Sequence, residues 1–192
     1  MIVELLNTVA KNPVDIIFGS SLLAFTGISV QHLLTFKSTA SRTSRLSGLA
    51  YALKSSAVGF ITLVAVAILF GAPVTKKHRK LGETLATALW ITAIGVYPGG
   101  LALYGAGLKW HDASRLWIMR SGLARHKKAV LRTAQLRIMF AVGGAWLGAF
   151  FLPLDWTVAW KLYPVPIFFG AFVGAYSAAI ASTTLALFFG FA

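Results

Sequence analysis

Apolar residues run through this chain in stretches too long for a soluble core. From Ala57 to Val74 every side chain except Thr62 is apolar, and comparable runs recur along the chain. Crossing a bilayer takes ~20 such residues in a helix. Backbone groups in hydrocarbon must hydrogen-bond within the protein, so only helices and closed barrels are available, and the runs lack the alternation of a barrel strand. The expected fold is therefore all-α, a polytopic transmembrane helix bundle of about five spans. They are placed at Asp15 to Phe36, Leu49 to Pro73, Glu83 to Leu108, Leu136 to Leu154 and Pro164 to Ala192, with a long basic loop over 109–135. Composition agrees: 57% of the 192 residues are hydrophobic and 12% charged. No internal repeat is visible, so residues 1–192 read as a single integral membrane domain.

The charge is lopsided, with 18 Lys and Arg against 5 Asp and Glu. In a soluble domain that excess would suggest a nucleic-acid partner. Between apolar spans it points instead to lipid phosphate and to topology, so membrane lipids are the expected partners and no nucleic acid is. Lys37, Arg42, Arg45 and the cluster from Lys109 to Arg132 fall on one side, which places the long loop and the C-terminus in the cytosol. The TKKHRK segment, residues 75–80, falls on the other side and dissents from that assignment. The start of the chain lacks the basic n-region and cleavage pattern of a secretory signal, so the first span is expected to remain as an anchor. With no cysteine, disulfides and thiolate metal sites are excluded.

Three small-xxx-small pairs stand out: Gly95 and Gly99, Gly144 and Gly148, and Gly170 and Gly174. Glycine lets helix backbones approach closely, so each pair marks a helix contact, either within this protein or with a partner. Pro98, followed by Gly99 and Gly100, should kink or break the third span, giving either packing shape or a lipid-facing cavity. The stretch GAWLGAFFLPLDW carries Gly144, Trp146, Gly148, Pro153, Asp155 and Trp156, and Trp160 and Pro164 follow. Aromatic rings between two prolines suit a turn lying at the headgroup level. There Asp155 caps the next segment, pairs with Lys161, or meets a partner. Arg137 and Lys54 lie near span ends, from which their side chains can snorkel. The four histidines are scattered and no metal-ligand spacing is present, so no metal site and no catalytic residue are assigned in this chain.

FGAPV (Phe70 to Val74), YPGGLALYG (Tyr97 to Gly105), GAWLGAFFLPLDW and WKLYPVPIFFGAFVGAYSA (Trp160 to Ala178) together resemble the PIG-F family of GPI-anchor biosynthesis. The resemblance implies a noncatalytic subunit in the endoplasmic-reticulum membrane. Its partner would be a large catalytic subunit that adds ethanolamine phosphate to mannose of the GPI precursor, with the metal cofactor in that partner. The family pattern departs at Thr157, Val158, Ala159 and Tyr163, where an acidic-basic-proline step and a tryptophan are usual. Six spans are also usual, so the first is expected to be missing here. A small lipid or solute transporter or scramblase, using the Pro98 break as a pathway, and an autonomous lipid-modifying enzyme are the alternative readings.

Overall fold

The computed structural model describes residues 4, 8, 11–35, 42–72, 80–108, 125–153, 157 and 162–189. Among them are five helices and no strand: α1 (Pro13–Thr35), α2 (Arg42–Leu69), α3 (Lys80–Gly105), α4 (Arg125–Ala149) and α5 (Val165–Phe189). Four of the five, all but α4, are long and apolar enough to cross a membrane. The order of elements follows the expected spans, while the ends differ for local reasons.

Pro13 opens α1 with Asp15 in its first turn, where a missing amide costs nothing and a carboxylate meets the positive end of the helix dipole. Helix α2 stops at Leu69, short of the expected Pro73. Gly71 takes φ +83°, its amide donates to Ile68 O at 3.0 Å, and the Ala72 amide donates to Ala67 O at 2.9 Å. That is a Schellman closure, which favours glycine because the left-handed region penalises a Cβ. Helix α3 ends the same way. Gly107 has φ +68°, the amides of Gly107 and Leu108 reach Tyr104 O and Leu103 O, and Leu108 packs on Leu103 and Leu131. Helix α4 begins at Arg125 rather than Leu136, so part of the expected basic loop is helical.

Helix α3 is the centre of the bundle. Inside the protein lies 72% of its apolar stretch, against 11%, 17% and 28% for those of α1, α2 and α5. Trp90 and Ile91 pack with Ile17 of α1, Ala141 and Ala145 of α4, and Phe168 and Ala171 of α5. Farther along α3, Tyr97 meets Phe25 edge-on at 4.8 Å and hydrogen-bonds Ser29 through its hydroxyl. Large apolar side chains such as Leu23, Ile61 and Leu69 are instead on the outside. In a bilayer that surface faces acyl chains, so it carries no solvation penalty.

The contacts fix which ends share a side. Gly82 lies near Val14, Tyr163 hydrogen-bonds Thr84, and Gly100 sits against Ala52. The start of α3 therefore lies with the starts of α1 and α5, whereas Gly105 lies with the beginnings of α2 and α4.

Pro98 does not break α3. The preceding five residues, Thr92–Val96, form a π-helical turn in which the Tyr97 amide donates to Thr92 O. The wider turn accommodates a residue that has no amide to give, and the helix continues to Gly105. Pro98 and Gly99 are both buried, and a Cβ on Gly99 would lie 3.2 Å from that of Ala134 in α4. Gly99 thus faces a neighbouring helix, which fits packing shape, the first of the two readings that the sequence offered for this stretch.

Replacing Gly107 by Val should destabilise the α3 terminus by roughly 1–2 kcal/mol, the penalty for a β-branched residue in the left-handed region. Thermal unfolding in detergent reads it out, compared with Gly19→Ala, whose new methyl would have nothing within 4 Å. An unchanged midpoint would refute the capping role.

Candidate functional site

Helices α4 and α5 form the most extensive helix contact in the protein, and four of the glycines singled out in the sequence lie in it. A Cβ built on Gly144 would collide with the carbonyl oxygen of Gly170, and one on Gly170 with that of Gly144. Gly148 faces the Pro166 carbonyl and Gly174 the Phe140 carbonyl in the same way. Each helix thus seats its backbone where the other lacks a side chain, an arrangement that favours dispersion and weak Cα–H···O contacts. Gly143, one residue away, has nothing within 4 Å of its would-be Cβ, so the requirement is confined to one helix face. The third pair serves α3: Gly95 approaches Ala141 and the Arg137–Ile138 backbone, and Gly99 approaches Ala134.

On the outer face of the hairpin the same glycines floor an apolar groove of about 740 Å³, walled by Phe140, Leu147, Phe169 and Val173. Trp146 stands outside it, 56% exposed, with its ring edge-on to Phe150 at 4.7 Å.

Beyond α4 the chain turns at 150–153, where the amides of Phe150, Phe151 and Leu152 each donate three residues back, and Pro153 is exposed. Asp155, Trp156 and Trp160 lie outside the described residues. Pro164 follows a cis Tyr163–Pro164 bond and is fully buried. The Tyr163 hydroxyl hydrogen-bonds Thr84 Oγ1 at 2.7 Å and ties this end of the turn to α3. Burial pushes the Tyr163 phenol up from its ordinary value; the Thr84 bond partly opposes that shift and nearby Glu83 adds to it.

Arg137 was read from the sequence as a residue near a span end. Helix α4 starts at Arg125, so Arg137 lies midway along the helix, half-buried, with Nε enclosed and without a hydrogen-bond partner among the described residues. The apolar series Leu131, Ala134, Ile138, Ala141 and Ala145 already carries helical spacing through this region, and it is the signal that could have extended the helix. Trp90 Nε1 and Ser56 Oγ are likewise buried without partners. Among the described residues no group of three or more His, Asp or Glu could hold a metal ion.

The helices and the site define a multi-pass membrane protein whose residues of interest build close helix contacts. Residues 1–183 match the GPI biosynthesis protein family Pig-F, and the chain belongs to that family. It is 31% identical over 131 residues to a PIGF/3-ketodihydrosphingosine reductase fusion protein of Schizosaccharomyces pombe, covering 68% of this chain and 24% of that one. It is 30% identical over 125 residues to glycosylphosphatidylinositol anchor biosynthesis protein 11 of Debaryomyces hansenii, covering 63% and 48%. The protein of that name from Yarrowia lipolytica is 26% identical over 128 residues, covering 66% and 51%. The chain thus spans about half the length, or less, of these curated relatives. No solved structure matches it.

The glycine contact makes a sharp comparison. Gly144→Ala and Gly174→Ala should each destabilise the protein by about 1–3 kcal/mol, as overpacking does, because the new methyl meets backbone that cannot move aside. Gly143→Ala should be neutral or slightly stabilising, since alanine is the better helix former. Thermal midpoints of the three variants in one detergent decide it; equal effects would refute backbone contact at the other two positions.

Proposed function

We propose that this chain is a noncatalytic subunit in the endoplasmic-reticulum membrane. It binds and stabilises the catalytic subunit of a GPI ethanolamine phosphate transferase and so supports the addition of ethanolamine phosphate to mannose of the GPI precursor. The observation that carries this reading is the family match across residues 1–183. The architecture, a helix bundle with four helices long and apolar enough to cross a membrane, suits a subunit that meets its partner within the membrane. On this reading the metal belongs to the partner, and the segment between Pro153 and Pro164 faces the lumen, with the C-terminus in the cytosol.

Loss of this protein should leave cells with GPI precursors lacking ethanolamine phosphate and with less of the catalytic subunit. Mass spectrometry of the glycolipids and quantitative blotting measure the two effects. Normal precursors would refute the function, and a missing modification with undiminished partner would refute stabilisation. A glycosylation acceptor inserted on a spacer between Pro153 and Pro164 should be modified, and one at the C-terminus should not; the reverse would overturn the orientation. Asp155→Asn keeps hydrogen-bonding capacity and removes charge, so transfer should fall only with the amount of assembled complex. Loss of transfer with the complex intact would assign Asp155 a direct part in the chemistry.

A further inference from the structure

Arg137 is a cation deep in the bundle, and three neighbours fix its depth. It is the central residue of the 25 in α4. Its carbonyl oxygen lies 3.9 Å from a Cβ built on Gly95, well inside α3, and the contact between Gly174 and Phe140 sets it level with Ser177, midway along α5. Gly95 is twelve residues beyond Glu83, about 18 Å along the helix, which is comparable with half of a ~30 Å hydrocarbon core. The Nε is enclosed by protein atoms and has no hydrogen-bond partner among the described residues, so the stem is packed in the bundle rather than extended toward a headgroup.

Nothing in the helices answers that charge. The sequences of α2, α4 and α5 contain no acid, and α1 and α3 have one each, Asp15 and Glu83, in their first turns. Those turns lie together at the Pro164 end, where Gly82 approaches Val14 and Tyr163 bonds Thr84. A second copy of the chain, inserted in the same orientation, would hold its helical acids at that same distant level. From outside, the approach to this level of α4 is open: Met139 is 62% and Phe140 40% exposed.

We propose that Arg137 is the docking point for a membrane-spanning helix of another protein, which brings an Asp or Glu to the same depth. Resting on the function proposed above, that protein is the catalytic subunit of the transferase. A lone guanidinium in hydrocarbon is costly, and so is a lone carboxylate; facing each other, each supplies what the other lacks. The planar guanidinium offers parallel donors to both carboxylate oxygens, and the low dielectric strengthens the attraction. A lipid phosphate stays at headgroup level, far from this depth, so the anion that fits is a carboxylate carried within a partner's span. The pair would also fix the depth and rotation of the partner helix, which apolar contacts alone leave free.

The test uses the full chain, tagged and co-expressed with the catalytic subunit, and measures by quantitative blotting how much subunit is recovered on it in mild detergent. Arg137→Gln should lower recovery about tenfold, the loss of charge-assisted hydrogen bonds, and Arg137→Lys should keep part of it. Arg137→Leu should lower recovery as Arg137→Gln does, yet leave the thermal midpoint of the isolated chain unchanged or raised, because an unpaired buried cation does not stabilise the bundle. A lowered midpoint would assign Arg137 to internal packing and overturn the proposal. When Arg137→Glu is combined with Lys at each acidic residue of the subunit's spans in turn, one combination should restore recovery; restoration by none would count against the pair and overturn it. A photo-crosslinker at Met139 should capture the subunit, and capture of lipid or of a second copy in its place would overturn the proposal. Recovery by Arg137→Gln equal to that of the unaltered chain would overturn this proposal alone. An unaltered chain that recovers no subunit would overturn the proposed function along with it.

Discussion

Backbone packed directly on backbone between α4 and α5 is the contact on which the rest of the bundle depends. In a bilayer, apolar side chains gain little by leaving lipid for one another, so helices associate through dispersion at short range and through weak polar contacts. Four glycines bring the two helices close enough for both. The resulting hairpin presents one continuous surface to α3, and Trp90 rests on it. Its ring lies 4.8 Å from that of Phe168 and 6.3 Å from that of Phe172, with Ala141 and Ala145 of α4 in the same cluster. A wider hairpin would separate those alanines from the α5 rings, and Trp90 would lose one wall of its site.

Polar groups inside the bundle follow the same economy. Ser21, Ser55, Thr87 and Thr92 each donate to the carbonyl four residues back, which satisfies the hydroxyl without requiring a second helix. Two hydroxyl pairs do join distant parts of the chain: Ser29 with Tyr97, and Thr84 with Tyr163. They sit toward opposite ends of α3. One fixes α1 against the central helix, and the other fixes the approach to α5, so the depth of each relative to α3 is set by a directional bond as well as by packing.

The long apolar runs made the helices and their order legible in the sequence, because hydrocarbon leaves the backbone so few alternatives. Their ends were less legible. Gly71 and Gly107 close α2 and α3 by taking positive φ, but in glycine-rich sequence neither is distinguishable from the glycines that pack. The start of α4 was hidden because basic residues were read as loop, although apolar residues keep helical spacing among them. Pro98 announced a local irregularity but not its form: the ladder widens into a π turn just before the proline, and the helix continues past it. The spacing of the glycine pairs announced close contacts. It could not say that two of the pairs would meet each other, since that depends on the antiparallel register of α4 and α5.

That register also bears on what the fold can do. A conduit through the bundle would need space along α3, and around the proline there Pro98 is buried and Gly99 lies against Ala134 of α4. The surfaces left open are peripheral. Leu23 and Val30 on α1, Ile61 and Leu69 on α2, and the groove on α4 and α5 all face outward, where the protein meets either lipid or another membrane protein. Of these, the groove is the concave one. Its floor comes from the same glycine contact that holds α4 to α5, so one set of residues sets both the packing within this chain and the shape of the surface it presents outward.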